Sequence, residues 1–464
     1  MKESELIAKY NRPLPRYTSF PTVPFWAGIN HDSWVASVFD ANPGESPIPV
    51  SLYVHVPYCA SLCSFCACTR VISRNKSLAE PFVDHLLKEL DLKLESFGKL
   101  SRRFVIHDIH LGGGTPTWLP PDELDRMLSG IRSAMTAVHS SEDSEISASG
   151  GPQLSVEIDP RTCAADHVEV LAKHGLSRVS LGIQDFHEPT LKAIKRFQTQ
   201  EEVHTVIDLV RAKGVDLINF DLVYGLPYQT KQSMKDSMQT LKIFGPTRVA
   251  LYSYAHLPQL KKHQIGVAKH GLPEAHLKQE LYQIAKASLI EAGYVDIGMD
   301  HFALPDDELF KAQESGKLHR NFMGYTDHKP QLLLGLGPSS MSDSGLAYAQ
   351  NPKEVGPWFE SITAGNVDPV NGHRLSPKDL ESRERILDLI CRGRARVSAD
   401  EWECISMSEL AQDGLISWDE ASETMHLLPE GEPFVRNICA LFDDYLVNKP
   451  APQLDERPRF SQSI

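Results

Sequence analysis

Basic residues are in short supply: 47 Lys and Arg stand against 61 Asp and Glu, a formal charge of -14. That balance argues against a broad phosphate-neutralising surface, because nucleic-acid binders cluster Lys and Arg, so a small molecule rather than a nucleic acid is the expected ligand. Long apolar runs are also missing. No stretch approaches the ~20 residues of a membrane span, and Met1 leads into the charged KESELIAKYNR rather than an apolar signal-peptide core. A cytoplasmic chain with no membrane partner is expected. Cysteine is scarce as well, with eight in 464 residues, which excludes a disulfide scaffold. Four of the eight, Cys59, Cys63, Cys66 and Cys68, crowd into one short segment, a pattern of metal chemistry in a reducing compartment.

An apolar fraction of 41% over 464 residues suffices for one large globular domain and a smaller one. The stretch through Pro24, rich in proline and aromatics (NRPLPRYTSFPTVPF), predicts an extended arm rather than a helix, lying on the body of the protein. From Ser51 onward, short β-branched or aromatic runs alternate with helical periodicity. Six strands are expected: SLYVHV (51–56), FVIHDIHL (104–111), LSVEI (154–158), RVSLGI (178–183), LINFDLV (217–223) and RVALYSY (248–254). Val83, Leu86, Leu87, Leu90, Leu94 and Phe97 follow a 3.6-residue period, as do Leu277, Leu281, Ile284 and Ala285. Such alternation is that of an α/β fold with a parallel sheet, whose ligands sit at the carboxyl ends of the strands.

The polar, Gly-containing residues 138–153 predict a surface loop without a function. Ser376, Pro377 and Asp379 spell a helix start, beyond which the chain to about Asn448 is expected to be mostly helical. Within it, DGLISWDEASETMHLLPEG reads as a short two-stranded wing; lacking a basic face, it fits packing or a lid rather than DNA. The resulting organisation is an arm (1–48), a catalytic domain (49–370), a smaller helical domain (371–448) and a tail (449–464).

The chemistry concentrates in LYVHVPYCASLCSFCACTR. Cys59, Cys63 and Cys66 have C-x-x-x-C-x-x-C spacing immediately after a strand. Three thiolates can hold three irons of a [4Fe-4S] cubane, leaving the fourth open to an outside ligand such as the amino and carboxylate groups of S-adenosylmethionine (SAM). Reductive cleavage of the sulfonium would then release a 5′-deoxyadenosyl radical, chemistry belonging to the cofactors. A structural zinc site with Cys68 as fourth ligand is the bland alternative, although zinc prefers paired C-x-x-C knuckles separated by a longer loop. Phe65 fits a group shielding the cluster or an adenine, or simple packing. After the second strand, Gly112-Gly113-Gly114-Thr115-Pro116-Thr117 lets backbone approach a ligand closely, although glycine turns between strand and helix are common. Polar residues recur at later strand ends: Glu157 and Asp159, Gln184 and Asp185, Asp221, Tyr254 and His256. Singly each reads as a cap or ion-pair residue; repeated on one rim they favour a site.

These motifs together resemble the oxygen-independent coproporphyrinogen III oxidases (dehydrogenases) of heme biosynthesis. The resemblance runs from PRYTSFPT (15–22) and the cysteine loop through GGGTPT, SVEIDPR, LGIQDF, DLVYGLP, YAHLP, GMDHFALPDDEL and HRNFMGYT (319–326) to NICALFDDYL. It implies a partial (β/α)6 radical SAM barrel with a helical C-terminal domain, Cys59, Cys63 and Cys66 on the cluster, and two SAM molecules per site. Their contacts, by motif position, would be Tyr53, Phe65, Gly113, Gly114, Thr115, Glu157, Gln184, Arg196, Asp221, Ala255 and Met341. Cys68 matches a family cysteine that is not a cluster ligand and is assigned a catalytic role. The implied reaction converts two propionates of coproporphyrinogen III to vinyl groups, giving protoporphyrinogen IX, with Arg16 and the His319–Thr326 segment, His319 and Phe322 foremost, on the substrate side and an electron donor as partner. Arg16 suits this because a guanidinium pairs well with a carboxylate. A monomer is expected.

Two residues depart from the family pattern. Met323 stands where Gln is usual, replacing an amide with a thioether, and Met341 stands where a β-branched aliphatic is usual, an exchange of similar volume. Two relatives share the cysteine loop, a heme chaperone and a heme-degrading radical SAM methyltransferase. Cys68, the PRYTSFPT arm and HRNFMGYT speak against the chaperone.

Overall fold

The computed structural model describes residues 3–138, 152–447 and 460–463. All six expected strands form: Ile48–Val56, Phe104–Gly113, Gln153–Ile158, Leu176–Gln184, Leu217–Tyr224 and Arg248–Ser253. They lie side by side in chain order and pair in parallel, with Tyr53 opposite His110, His110 opposite Ser155, and Ser155 opposite Arg178. Alternation sets the two faces. Leu52, Val54, Ile109, Leu111, Val156, Leu181, Phe220 and Leu251 are buried among the apolar residues of the main core. The intervening polar positions of six consecutive strands, among them Asp108, Ser155, Ser180, Asn219, Arg248 and His301, line one shared space, so the sheet curls round an interior.

The sheet extends beyond the six strands. Leu332–Leu336 adds a seventh parallel strand beside the first, followed by the antiparallel Met341–Asp343, Ala347–Gln350 and Asn371–Arg374. On the other edge lie His301–Ala303 and Val295–Gly298, also antiparallel. Runs of three to five residues carry too little period to be separated from loop in a sequence. The two helices read from periodicity form over Ala79–Phe97 and Ala275–Glu291, burying Val83, Leu86, Leu90, Leu94 and Phe97 in the first and Leu281 and Ala285 in the second.

Reading the whole stretch through Pro24 as extended is corrected at its start. Glu3–Tyr10 is a helix, because ESELIAKY contains good helix formers and the first proline comes only at Pro13. The proline-rich remainder is irregular, bending at Tyr17–Pro21 and closing in a short 3-10 turn at Val23–Phe25, and does lie on the body: Tyr17 and Phe20, with Leu6 of the helix, join a second core with Ile297, Leu389, Ile390, Phe434 and Ile438. Ser376 caps Pro377–Arg392 in a capping box with Asp379. The expected wing is Ile416–Asp419 paired with Thr424–Leu427, and Arg394–Arg396 adds a third strand to it. Ser461 and Gln462 return to the arm, where Pro13 bridges Gln462. The loop expected at 138–153 falls almost wholly outside the described residues. Among those described, no helix is long and apolar enough to cross a membrane.

Candidate active site

The loop after the first strand is tied at both ends. Val71 N–H donates to Pro57 C=O at 2.7 Å and Ser73 N–H to Cys59 C=O at 2.9 Å, so the cysteines between them sit over the carboxyl ends of the strands. Gln264 Nε2 holds the Phe65 carbonyl at 2.8 Å, and Arg70 Nη1 that of Cys68 at 2.8 Å. Cys59, Cys63, Cys66 and Cys68 all line one cavity of about 320 Å³.

The sulfurs are met by donors. Thr115 Oγ1 donates to Cys59 Sγ at 3.4 Å, while Arg161 Nη2 and Arg196 Nη1 approach Cys63 Sγ at 3.5 and 3.6 Å. Asp159 holds both arginines, at 2.6 Å for Arg161 and 3.3 Å for Arg196. Burial pushes the Cys59 thiol up to about 11, and a hydrogen bond from Cys68 brings Cys66 down to about 6. Three convergent thiols beside two guanidinium groups fit an iron–sulfur cluster with one iron left to an outside ligand.

The glycine turn is packed against this loop. A Cβ at Gly114 would lie 2.7 Å from the Tyr58 carbonyl oxygen and 2.8 Å from the Pro57 carbonyl carbon, so only glycine lets the two backbones meet. Gly113 has a φ of +106° and donates its N–H to Glu157 Oε2 at 3.2 Å. Gln184 sits in the left-handed region at φ +70°, where the register of its strand shifts after Gly182, a bulge that re-aims a side chain at a strand end. Asp221 accepts from Ser180 Oγ at 2.8 Å and Asn219 Nδ2 at 3.0 Å, and burial still pushes its carboxyl up to about 6.

Of the residues read from the sequence, Phe65, Gly113, Gly114, Thr115, Glu157, Gln184, Arg196, Asp221 and Ala255 line the same cavity as the four cysteines. Tyr53 does not line it. Its ring stacks on His110 at 5.9 Å and meets Phe322 edge-on at 5.4 Å, below the rim. Met341 lies on the antiparallel extension opposite Gln350, outside the cavity lining. Asp185 turns away from the cavity, its carboxylate taken by Gln229, Ser237 and two backbone N–H groups.

Arg16 lines a second cavity, of about 620 Å³, which shares Ser253 with the first. His319 and Phe322 belong to the hairpin His319–Asn321 and Gly324–Thr326. Burial of His319 brings its imidazole down to about 4, and Phe322 sits at the hairpin turn. Met323 faces the barrel interior, a space of about 190 Å³ that shares Glu157, Ser180, Asp221 and Tyr252 with the cysteine cavity. Sequence reasoning gave Arg161, Tyr252 and Gln264 no role. Arg161 carried a local signal, a cation two residues after Asp159; Gln264 comes to the cysteine loop from 199 residues away and had none.

A parallel strand–helix barrel with three cysteines gathered over its carboxyl mouth is the arrangement of a radical SAM protein. The Radical SAM superfamily model accordingly matches residues 53–241. The chain is 36% identical to the oxygen-independent coproporphyrinogen III oxidase of Pseudomonas aeruginosa, covering 100% of this chain and 98% of that one. It is 34% identical to the enzyme of the same name from Escherichia coli K12, over 97% and 96% of the two chains. The solved structure of the E. coli coproporphyrinogen III oxidase HemN, a radical SAM enzyme, superposes with a TM-score of 0.82 at 32% identity, covering 94% of this chain and 100% of that chain. The chain belongs to the oxygen-independent coproporphyrinogen III oxidase family.

Proposed function

We propose that this protein oxidatively decarboxylates two propionate side chains of coproporphyrinogen III to vinyl groups, forming protoporphyrinogen IX in anaerobic heme biosynthesis. The observation that carries the reading is the convergence of Cys59, Cys63 and Cys66 with Gly113, Gly114, Glu157 and Asp221 on one cavity that adjoins a larger one lined by Arg16. When bound, a [4Fe-4S] cluster and SAM supply the one-electron reduction and the hydrogen-abstracting radical.

The chain's own residues bind, orient and screen. Cys59, Cys63 and Cys66 hold the cluster, and Arg161 and Arg196, fixed by Asp159, offset the charge at Cys63. The Gly113–Gly114 backbone and Glu157 receive the amino-acid end of SAM, held in register with the cysteine loop because Gly114 lets the Pro57–Tyr58 backbone pack directly against the turn. Gln184, Asp221 and Ala255 border the rest of the SAM pocket, and Phe65 covers it. A second SAM molecule is supported by the barrel space that opens off the same cavity past Glu157 and Asp221, with Tyr53 and Met341 assigned to the SAM contacts by motif position alone. Cys68, Arg16, His319 and Phe322 act on the substrate side. The protein acts as a monomer in this reading, and an external electron donor must reach the cluster.

The test is an anaerobic assay of reconstituted protein with coproporphyrinogen III, SAM and a reductant. Protoporphyrinogen IX and 5′-deoxyadenosine are the expected products. Tight heme binding without decarboxylation would overturn the reading in favour of a heme chaperone, and a Cys63→Ser variant with full iron content and activity would overturn the cluster assignment.

A further inference from the structure

Arg320 is a buried cation without a counter-ion. The residue is 5% exposed, and its Nε and Nη1 have no hydrogen-bond partner. Among the described residues the guanidinium makes no ion pair; its close contact is the face of Tyr325, 4.8 Å from the ring centroid. The neighbouring half-buried arginines have carboxylates, Arg383 with Asp343 at 2.5 Å, Arg248 with Asp307 at 2.6 Å and Arg16 with Asp300 at 2.7 Å, and Arg436, as buried as Arg320, is satisfied by the carbonyls of Leu14, Pro15 and Gln462. Asn321, next in sequence and equally buried, leaves its Nδ2 donor unpartnered while its Oδ1 accepts the Met323 N–H at 2.9 Å. Two adjacent residues therefore hold unused N–H donors and one uncompensated positive charge. A fold keeps so costly a group where an anion comes to meet it.

Three ring contacts set its distance from the reaction cavity. Arg320 lies over Tyr325, Tyr325 meets His301 at 5.2 Å, and His301 meets Tyr252 at 5.9 Å. Tyr252 lines the cysteine cavity. Arg320 is thus three contacts removed from the reaction cavity, in a separate void on the arm side. Coproporphyrinogen III carries four propionates, of which two react, so the protein must also hold carboxylates that stay intact.

Resting on the function proposed above, we propose that Arg320, with Asn321, receives a propionate carboxylate of the substrate, one held away from the reacting carbon. The planar guanidinium offers two parallel N–H groups to a carboxylate, a fork that lysine cannot reproduce. The free space beside it is about 10 Å³, room for one water; its far wall is the arm from Tyr17 to Phe20, and the Asp343 carboxylate that also borders it is taken by Arg383. A carboxylate enters there by replacing water and moving that wall outward.

The test compares wild type with Arg320→Met and Arg320→Lys as full-length, cluster-loaded protein. Removing an unpaired buried charge should leave the melting temperature of Arg320→Met unchanged or higher without ligand. Added propionate, the probe, should raise the melting temperature of wild type but not of Arg320→Met. The KM for coproporphyrinogen III should rise at least about tenfold in Arg320→Met and less in Arg320→Lys, with kcat nearly constant and the KM for SAM unchanged. A lower melting temperature with unchanged porphyrinogen KM would make Arg320 a hydrated structural residue and overturn the proposal. So would a rise in the KM for SAM alone. If wild type does not turn over coproporphyrinogen III at all, the functional reading fails separately, and the propionate shift still decides whether Arg320 is a carboxylate receptor.

Discussion

Arg16 Nη1 lies 2.7 Å from Asp300 Oδ2, a contact that fastens the N-terminal arm to the turn between two edge strands of the barrel sheet. The arginine expected to meet substrate is therefore already held by a carboxylate, which raises the affinity of its guanidinium for its proton. Asp300→Asn would leave the guanidinium without a counter-charge. Because Arg16 is 29% exposed at its side chain, water recovers part of the loss, and a destabilisation of about 1–3 kcal/mol is expected. Urea unfolding of cluster-loaded protein measures it; a midpoint equal to wild type would show the pair to be energetically silent.

His328 gives the protein an alkaline limb. Asp108 and Asp327 flank its imidazole at 3.4 and 2.7 Å and raise it to about 10. A group raised above its ordinary 6.5 contributes stability that is complete below 6.5 and is lost as pH climbs to about 10. On the acid side, hydrogen bonds from His107, His328 and Ser51 outweigh burial and hold Asp108 down to about 2, a contribution lost as pH falls from about 4 to 2. His328 is 36% exposed, so solvent screening reduces the alkaline effect to about 1 kcal/mol. Unfolding free energies at pH 6.5 and 10 should therefore converge for wild type and His328→Gln at the higher pH; a constant difference across that window would remove His328 as the titrating group.

The parts of the fold visible in the sequence are those with a local code. Six strands of alternating or continuous apolar character, two helices with a clear period, and three thiols within eight residues need no partner to be recognised. What escaped depends on contacts between distant segments. The Glu3–Tyr10 helix gains its stability by packing Leu6 into a core shared with Leu389 and Phe434, and the adjoining prolines masked it. Arg161, given no role in the sequence, meets Cys63 from 98 residues away, beside Arg196, whose place at the site came only by family resemblance. Arg320 fell inside the His319–Thr326 segment expected on the substrate side but was not singled out, because an arginine in sequence does not disclose that it will be buried without an ion pair.

Gly114 offers a steric test. The Cβ of Gly114→Ala would press on the Tyr58 and Pro57 backbone at 2.7 to 2.9 Å, and backbone cannot rotate aside as a side chain can. The cysteine loop must move away from the glycine turn, at an expected cost of about 1–3 kcal/mol. Since that junction also seats SAM in the proposed site, SAM affinity should fall more steeply than overall stability. Equilibrium binding of SAM alongside thermal unfolding separates the two; an unchanged SAM affinity would detach the glycine turn from the cofactor site.

Cys68 tests which thiols are ligands. It lines the cysteine cavity with the other three and shares a hydrogen bond with Cys66, yet it stands at the solvent-exposed lip, with its carbonyl held by Arg70. The C-x-x-x-C-x-x-C spacing is already complete at Cys66, so Cys68→Ser should retain the iron and sulfide content of wild type while Cys63→Ser loses it. If Cys68 acts on substrate, the serine variant should lose about 10²-fold or more in decarboxylation, because a serine hydroxyl gives up its proton or hydrogen far less readily than a thiol. Reductive SAM cleavage should meanwhile continue, since the open iron and its three ligands are untouched. Loss of iron from Cys68→Ser would instead make it a fourth ligand, close the open position, and return the zinc-like reading of the cysteine loop.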